Sequence, residues 1–373
     1  MKTLLFTLEY PPFKGGVANY YGNLAHYWPI DENLTVLDNS HEELMIREKG
    51  YFSWWPAIFG LRRKIKREKI DYVLVGQILP LGTVACLWSY FQPLKYAVFL
   101  HGMDLAYALK RPRKKWLTNL ILKRADKIIA ANSYVAEIVK EINPFWGNKT
   151  AVINPGIESG TPAVDLDEVK EIKNKYNLEN KIVLFTLGRL IRRKGIDRTI
   201  QALVGIPEPL NKELIYFIAG TGPKKEFLKK LVPLKFSKKI NFLGEISDEE
   251  KWAWFSLCDI FIMPSRDIQG DFEGFGIVYL EANLFGKPVI AGLSGGVKDA
   301  VVDGYNGLVV DSESKEEIRR GIITLATNKE LRQKLGEQGR VRALADFNWE
   351  KQVAKIFNAI NIKTIKASSP KKN

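Results

Sequence analysis

Histidine, cysteine and methionine are scarce in this chain of 373 residues, at three, two and four. Three scattered histidines, His26, His41 and His101, have no metal-ligand spacing, and two cysteines 172 positions apart make neither a zinc site nor a disulfide framework. Cys86 and Cys258 lie in the apolar runs VACLW and SLCDI, so both are expected as buried free thiols of a reducing compartment. Long hydrophobic runs are also missing. Nothing approaches the roughly 18 uninterrupted apolar residues that cross a bilayer, which excludes a membrane-spanning helix. The opening MKTLLFTLEYPP has one lysine and a short apolar run stopped by Glu9 and two prolines, unlike a signal peptide with its cleavage site. A cytoplasmic protein is expected.

Negative charge is in deficit. Against 56 Lys and Arg stand 42 Asp and Glu, a net charge of +14, and the isoelectric point is about 9.4. Such a surface favours anions: nucleotide phosphates, nucleic acid or an anionic lipid face. The remainder is ordinary for a folded protein, with 46% apolar and 26% charged residues, and the length predicts two compact units of about 150 to 200 residues.

Short apolar runs rich in β-branched residues recur with helical stretches between them. The first half has TLLFTL, NLTVL, YVLVG, YAVFLHG, KIIAAN and TAVINPG; the second has IVLFTLG, LIYFIAG, INFLG, IFIMP and PVIAG. Strands that alternate with helices predict parallel sheets covered on both faces. The series restarts after NPGIESGTPAVDLDE, residues 154–168, which predicts a linker there. The expected fold is α/β, with two doubly wound domains at 1–157 and 158–348. A last amphipathic helix at 349–363 is expected to rejoin the first, followed by a disordered tail at 364–373. Ligands of such domains bind at the carboxyl ends of the strands, and a cleft between the two is the expected site.

Five strand ends carry unusual residues. In EYPPFKGGVANY, Gly15 and Gly16 precede a helix, where a glycine pair lets a phosphate or sugar approach backbone N–H groups at the positive end of the dipole; an ordinary glycine turn reads the same way. YAVFL ends in His101-Gly102, which places a histidine to donate to an oxygen at the strand end, although a core or surface histidine fits equally. IVLFTLG runs into Arg189, LIRR and Lys194-Gly195, two cations able to converge on a diphosphate; the alternative is a solvated basic face. IYFIAG is followed by the tight turn Thr221-Gly222-Pro223. Finally EGFGIVYLEA sets Glu273 before a helix and Glu281 within it. A carboxylate among apolar helix residues is costly unless it accepts hydrogen bonds, and ribose hydroxyls are expected to supply them. The backbone of Gly274, Phe275, Gly276 and Ile277 between the two acids is expected to touch phosphate or hydroxyl oxygens.

In this order and spacing the motifs resemble those of the family-4 retaining glycosyltransferases of GT-B fold, in which two Rossmann-like domains face each other across a cleft. The likeness spans essentially the whole chain, from the GG loop through His101-Gly102, Asn154-Pro155-Gly156, GRLIRRKG, AGTGP and EGFGIVYLEA to SGGVKDAVVDGYNGLVV. It implies that Arg189 and Lys194 bind the donor diphosphate and neutralise charge as the nucleotide leaves. It places Gly15 and Gly16 against phosphate and donor sugar, and His101 on the sugar or distal phosphate. Glu273 would meet sugar hydroxyls and Glu281 the ribose, with no metal and no cofactor beyond the nucleotide-sugar donor.

The wording GDFEGFGIVYLEANLFGKPVIAGLSGG, including Asp271 two residues before Glu273, is similar to that of mannosyltransferases using GDP-mannose on phosphatidylinositol-type lipids. GDP-mannose is therefore favoured over UDP-sugars, and the acceptor is expected to be a lipid or saccharide. The segments 51–69 and 109–124 join aromatic or aliphatic residues to clustered Lys and Arg, the pattern of a peripheral contact with an anionic membrane or of a helix with a solvated basic face. A nucleotide-sugar epimerase shares the architecture, and a nucleic-acid binder shares the charge; the latter has no recognised module here, so no nucleic acid is expected.

Overall fold

The computed structural model of the chain describes residues 1–13, 15–41, 44–45 and 53–361. The tail expected at 364–373 lies outside them, as do residues 51–52 of the first basic segment and 362–363 of the last helix. Packing divides the chain into two units, Met1–Gly156 with the chain from Trp349 onward, and Ile157–Asn348.

The first unit holds a six-stranded sheet of β1 (Thr3–Phe6), β2 (Leu34–Leu37), β3 (Tyr72–Val75), β4 (Lys95–Leu100), β5 (Lys127–Ala130) and β6 (Thr150–Val152), ordered β2-β1-β3-β4-β5-β6. All of its pairings are parallel. The two-residue period of a strand sends successive side chains to opposite faces. Thus Leu4 and Phe6 join Leu61, Val84, Ile121 and Val135 in one core, whereas Leu5 joins Tyr20, Tyr21, Leu24, Val353 and Ile356 in another. The helix Trp349–Asn361 thereby packs on the same face as the helix Gly16–His26.

The second unit repeats the plan with β7 (Ile182–Leu187), β8 (Leu214–Ala219), β9 (Ile240–Gly244), β10 (Ile260–Met263), β11 (Val289–Gly292) and β12 (Gly307–Val310). The order is β12-β11-β10-β7-β8-β9, again parallel throughout. β12 is the one strand among the described residues that the sequence pattern does not mark. GLVV is a four-residue edge strand that opens on glycine, so only three apolar residues mark it. Phe185 faces Trp254, Phe255 and Tyr279, while Leu184 faces Ile196, Ile200 and Ile318. Helix starts follow local chemistry. Ser247 and Glu250 form a reciprocal capping box before Asp248–Leu257, and Asp165 caps Leu166–Tyr176.

In each sheet two adjacent strands send their following helices to opposite faces. After β1 the chain goes to the helix Gly16–His26 on one side, and after β3 to Leu81–Phe91 on the other. β7 leads likewise to Ile196–Val204 and β10 to Ile277–Leu284, on opposite faces. Such a switch point leaves a crevice beyond the carboxyl ends of the two strands.

Candidate functional site

At the switch point of the second sheet, the loop after β10 carries Glu273 and the loop after β7 carries Arg193 and Lys194. Glu273 is buried, and its Oε2 accepts hydrogen bonds from Arg193 Nη1 at 2.6 Å, Lys194 Nζ at 2.8 Å and Ser265 Oγ at 3.1 Å. Its backbone is fixed as well: Ser294 Oγ accepts the Glu273 N–H at 3.1 Å, and Gly296 N–H donates to the Glu273 carbonyl at 3.0 Å. Burial pushes the carboxyl up, but the charges of Lys194 and Arg193 and the bonds from Lys194 and Ser265 outweigh it, so the group titrates below its ordinary 4.5. It is a fixed anion facing two fixed cations.

Deeper in the same loops, Arg266 Nη2 donates to both oxygens of Asp197 at 2.8 and 3.1 Å, and Arg266 N–H donates to the Arg193 carbonyl at 2.9 Å. This buried pair fastens the β10 loop to the β7 loop and holds the segment from which Arg193 and Lys194 project.

Glu281 lies on the helix Ile277–Leu284 and its Oε1 accepts from Lys251 Nζ at 3.2 Å, a cation that also sits 3.8 Å over the Trp252 ring. Burial raises its carboxyl above 4.5 and Lys251 opposes the rise. The protein itself therefore supplies a hydrogen bond that the sequence pattern reserves for ribose. Gly276, at φ 80°, caps that helix in the left-handed region, and a Cβ there would come within 2.4 Å of the Tyr279 ring. The Phe275 side chain is buried against Phe347, with ring centroids 5.8 Å apart, so only its backbone is open to a ligand; Ile277 is exposed. A Cβ on Gly222 would reach 2.6 Å from the Leu190 nitrogen, which makes that glycine a requirement of the β7 and β8 loops meeting. Arg189 is exposed, and its side chain makes no hydrogen bond or ion pair among the described residues.

In the first unit, Gly15 and Gly16 open the helix Gly16–His26, and a Cβ on Gly16 would meet open space. Tyr21 on that helix donates to the Gly76 carbonyl at 2.6 Å and lies 2.8 Å from His101 Nε2. With its only hydrogen given to Gly76, the hydroxyl accepts from His101, which places the imidazole proton on Nε2. Asp104 Oδ1 accepts the backbone N–H of His101 at 3.0 Å and of Gly102 at 2.8 Å. Burial holds the imidazole below its ordinary 6.5, with Asp104 opposing, so His101 is neutral at neutral pH.

Within the second unit the structure thus joins Lys194 to Glu273, and within the first it joins His101 to the helix begun by Gly15 and Gly16. It keeps Arg189 apart from the carboxylates and gives Glu281 a partner of its own. Arg193, Ser265, Lys251 and Tyr21 are the residues that sequence reasoning passes over. Arg193 has a signal, since Asp271 and Glu273 are two acids spaced to face one cation. Ser265 and Tyr21 have none.

Residues 14–160 match the model of the family described as Glycosyltransferase Family 4, and residues 168–342 that of Glycosyl transferases group 1. The chain is 34% identical to an uncharacterized glycosyltransferase of Methanocaldococcus jannaschii, over 90% of this chain and 79% of the relative. It is 27% identical to the GDP-mannose-dependent alpha-(1-6)-phosphatidylinositol monomannoside mannosyltransferase of Mycobacterium tuberculosis, over 95% and 97%. Among solved structures, Anabaena HepE in complex with UDP superposes with a TM-score of 0.77 at 18% identity, covering 96% of this chain and 99% of that one. The fold is GT-B.

Proposed function

Since the chain belongs to the family-4 glycosyltransferases, we propose that it moves mannose from GDP-mannose to a lipid-linked or saccharide acceptor, with retention of anomeric configuration and without a metal. The observation that carries the reading is the convergence of Arg193, Lys194 and Glu273 at the carboxyl-end switch point of the second sheet. A nucleoside diphosphate departing there needs positive charge, and a sugar needs fixed acceptors for its hydroxyls. Mannose and the lipid acceptor are supported by the name of the mycobacterial relative. The UDP seen in Anabaena HepE supports the second reading, a UDP-sugar donor.

In this reading Lys194 and the unpaired Arg189 hold the diphosphate, helped by the N–H groups of Gly15, Gly16, Gly222 and the Gly274–Ile277 backbone. Glu273 takes sugar hydroxyls, Glu281 the ribose, and the neutral His101 donates to the sugar or distal phosphate. Attack is front-side: the acceptor oxygen bonds to the anomeric carbon as the bond to phosphate breaks, and the departing phosphate oxygen takes the acceptor's proton. Glu273, already an anion, has no proton to give as an acid, and front-side attack assigns it no covalent role. In the first unit, the basic helices Trp55–Glu68 and Pro112–Arg124 pack on the same sheet face and expose Trp55, Phe59 and Trp116. They are assigned a peripheral contact with anionic lipid, each cation adding about 1 kcal/mol. No helix among the described residues is long and apolar enough to cross a membrane.

Thermal shift with GDP, UDP and ADP tests the donor, because a ligand of the folded state raises the midpoint. Stabilisation by GDP alone is expected. Stabilisation by UDP alone would replace mannose with a UDP-sugar, and an epimerised nucleotide sugar formed without acceptor would replace transfer altogether.

A further inference from the structure

Three donors crowd onto one oxygen of Glu273, and none reaches the other. Arg193 Nη1, Lys194 Nζ and Ser265 Oγ all point to Oε2. Among the described residues no donor bonds Oε1, and Oε1 is absent from the buried polar atoms that lack a partner, so it keeps a solvent-facing edge on a side chain only 9% exposed. The terminal torsion of a glutamate is broad and nearly two-fold, so which oxygen faces outward is decided by the donors around it. Of the three, Arg193 alone is tied to a second acid, its Nε lying 3.1 Å from Asp271 Oδ1. Its backbone is held too, by Arg266 N–H. The guanidinium therefore sits between two carboxylates, hydrogen-bonded to Glu273 through Nη1 and ion-paired with Asp271 through Nε, which itself makes no hydrogen bond.

We propose that Arg193, steadied by Asp271, is a positioning residue that turns Glu273 so that Oε1 is presented as the acceptor for a hydroxyl of the donor's sugar, and that it does not hold the diphosphate. The inference rests on the nucleotide-sugar reading above and deepens it by giving the loop's two cations different roles, Lys194 serving the phosphate and Arg193 the sugar. Removing Arg193 frees the carboxylate to rotate, which costs contacts that the sugar makes and leaves contacts of the nucleoside diphosphate alone.

Equilibrium binding of two pairs, GDP with GDP-mannose and UDP with UDP-glucose, tests this on wild type, Arg193→Gln, Arg193→Lys and Asp271→Asn. For the pair that wild type binds, Arg193→Gln is expected to weaken the sugar nucleotide about ten- to a hundredfold, the worth of a hydrogen bond to a charged group. The bare diphosphate is expected to stay within about twofold. Arg193→Lys restores part of the loss. Asp271→Asn, at a side chain 44% exposed and so tolerated by the fold, gives a smaller loss of the same kind. Equal losses for diphosphate and sugar nucleotide would make Arg193 a phosphate ligand and overturn the proposal, as would no change in either. Failure of wild type to bind any of the four compounds would instead sink the donor reading on which it stands.

Discussion

Replacing Lys194 by Met is expected to destabilise the protein strongly, and replacing Glu273 by Gln as well should add much less than its own cost. Lys194 Nζ and Glu273 Oε2 are 2.8 Å apart with side-chain exposures of 12% and 9%. At an effective dielectric of about 20 the attraction over that distance is about 6 kcal/mol, and desolvation takes back several of these. Losing Lys194 leaves the buried Glu273 with one of its two cations, and losing the Glu273 charge leaves Lys194 with no carboxylate, so each single substitution is expected to cost about 3 kcal/mol. In the double variant Arg193 still has Asp271, 3.1 Å away, and no bare carboxylate remains. The two single costs should then overlap by about 2 kcal/mol or more. Denaturant unfolding of the four proteins, followed by fluorescence, supplies the cycle. Single costs that sum within about 0.5 kcal/mol would mean the two side chains act independently, and the converged cluster would be refuted as a coupled unit.

Tyr21→Phe removes the hydroxyl between the Gly76 carbonyl and His101 Nε2 and is expected to cost about 1–3 kcal/mol in the same assay, because a buried donor and a buried acceptor lose their partner. Because His101 titrates below its ordinary 6.5 in the folded state, the unfolded chain takes up the proton first as pH falls. Stability is thus full above pH 6.5 and declines below it, and His101→Gln should flatten that decline in a pH series of thermal midpoints. Gly156→Ala places a Cβ within 2.5 Å of the Trp349 ring and 2.8 Å of its Cα, so a loss of about 3 kcal/mol is expected on unfolding, against near-neutrality if the two segments do not pack. Vesicles containing anionic lipid should sediment the protein at low salt and release it at high salt. Retention in neither condition would leave the helices Trp55–Glu68 and Pro112–Arg124 as solvated faces.

The fold is legible because eleven of the twelve strands announce themselves as short β-branched runs between helices, a pattern that only parallel sheets bury on both faces. β12 is not, since three apolar residues after a glycine read like the end of any turn. Of the candidate site, what can be read is the backbone: glycines at strand ends, and acids on either side of a helix start. Side-chain partnership is not readable, for it depends on which of several adjacent cations the chain turns inward. GRLIRRKG offers four, and the short turn Arg192–Lys194 directs Arg193 and Lys194 to Glu273 while Arg189 and Arg192 stay exposed. The cost of a half-buried Glu281 follows from its apolar neighbours, but the partner that meets it, Lys251, sits 30 positions away on another helix.

If the loops at the switch point between β7 and β10 hold a sugar nucleotide for transfer, the protein must carry label from a donor to an acceptor. Incubating the protein with radiolabelled GDP-mannose and a phosphatidylinositol mannoside, then counting label in the lipid phase, addresses it directly. Labelled lipid formed by wild type and reduced at least about a hundredfold by Lys194→Ala is the expected result. Transfer undiminished in Lys194→Ala would contradict it, as would no transfer of label from GDP-mannose, UDP-glucose or UDP-N-acetylglucosamine to any lipid or saccharide acceptor.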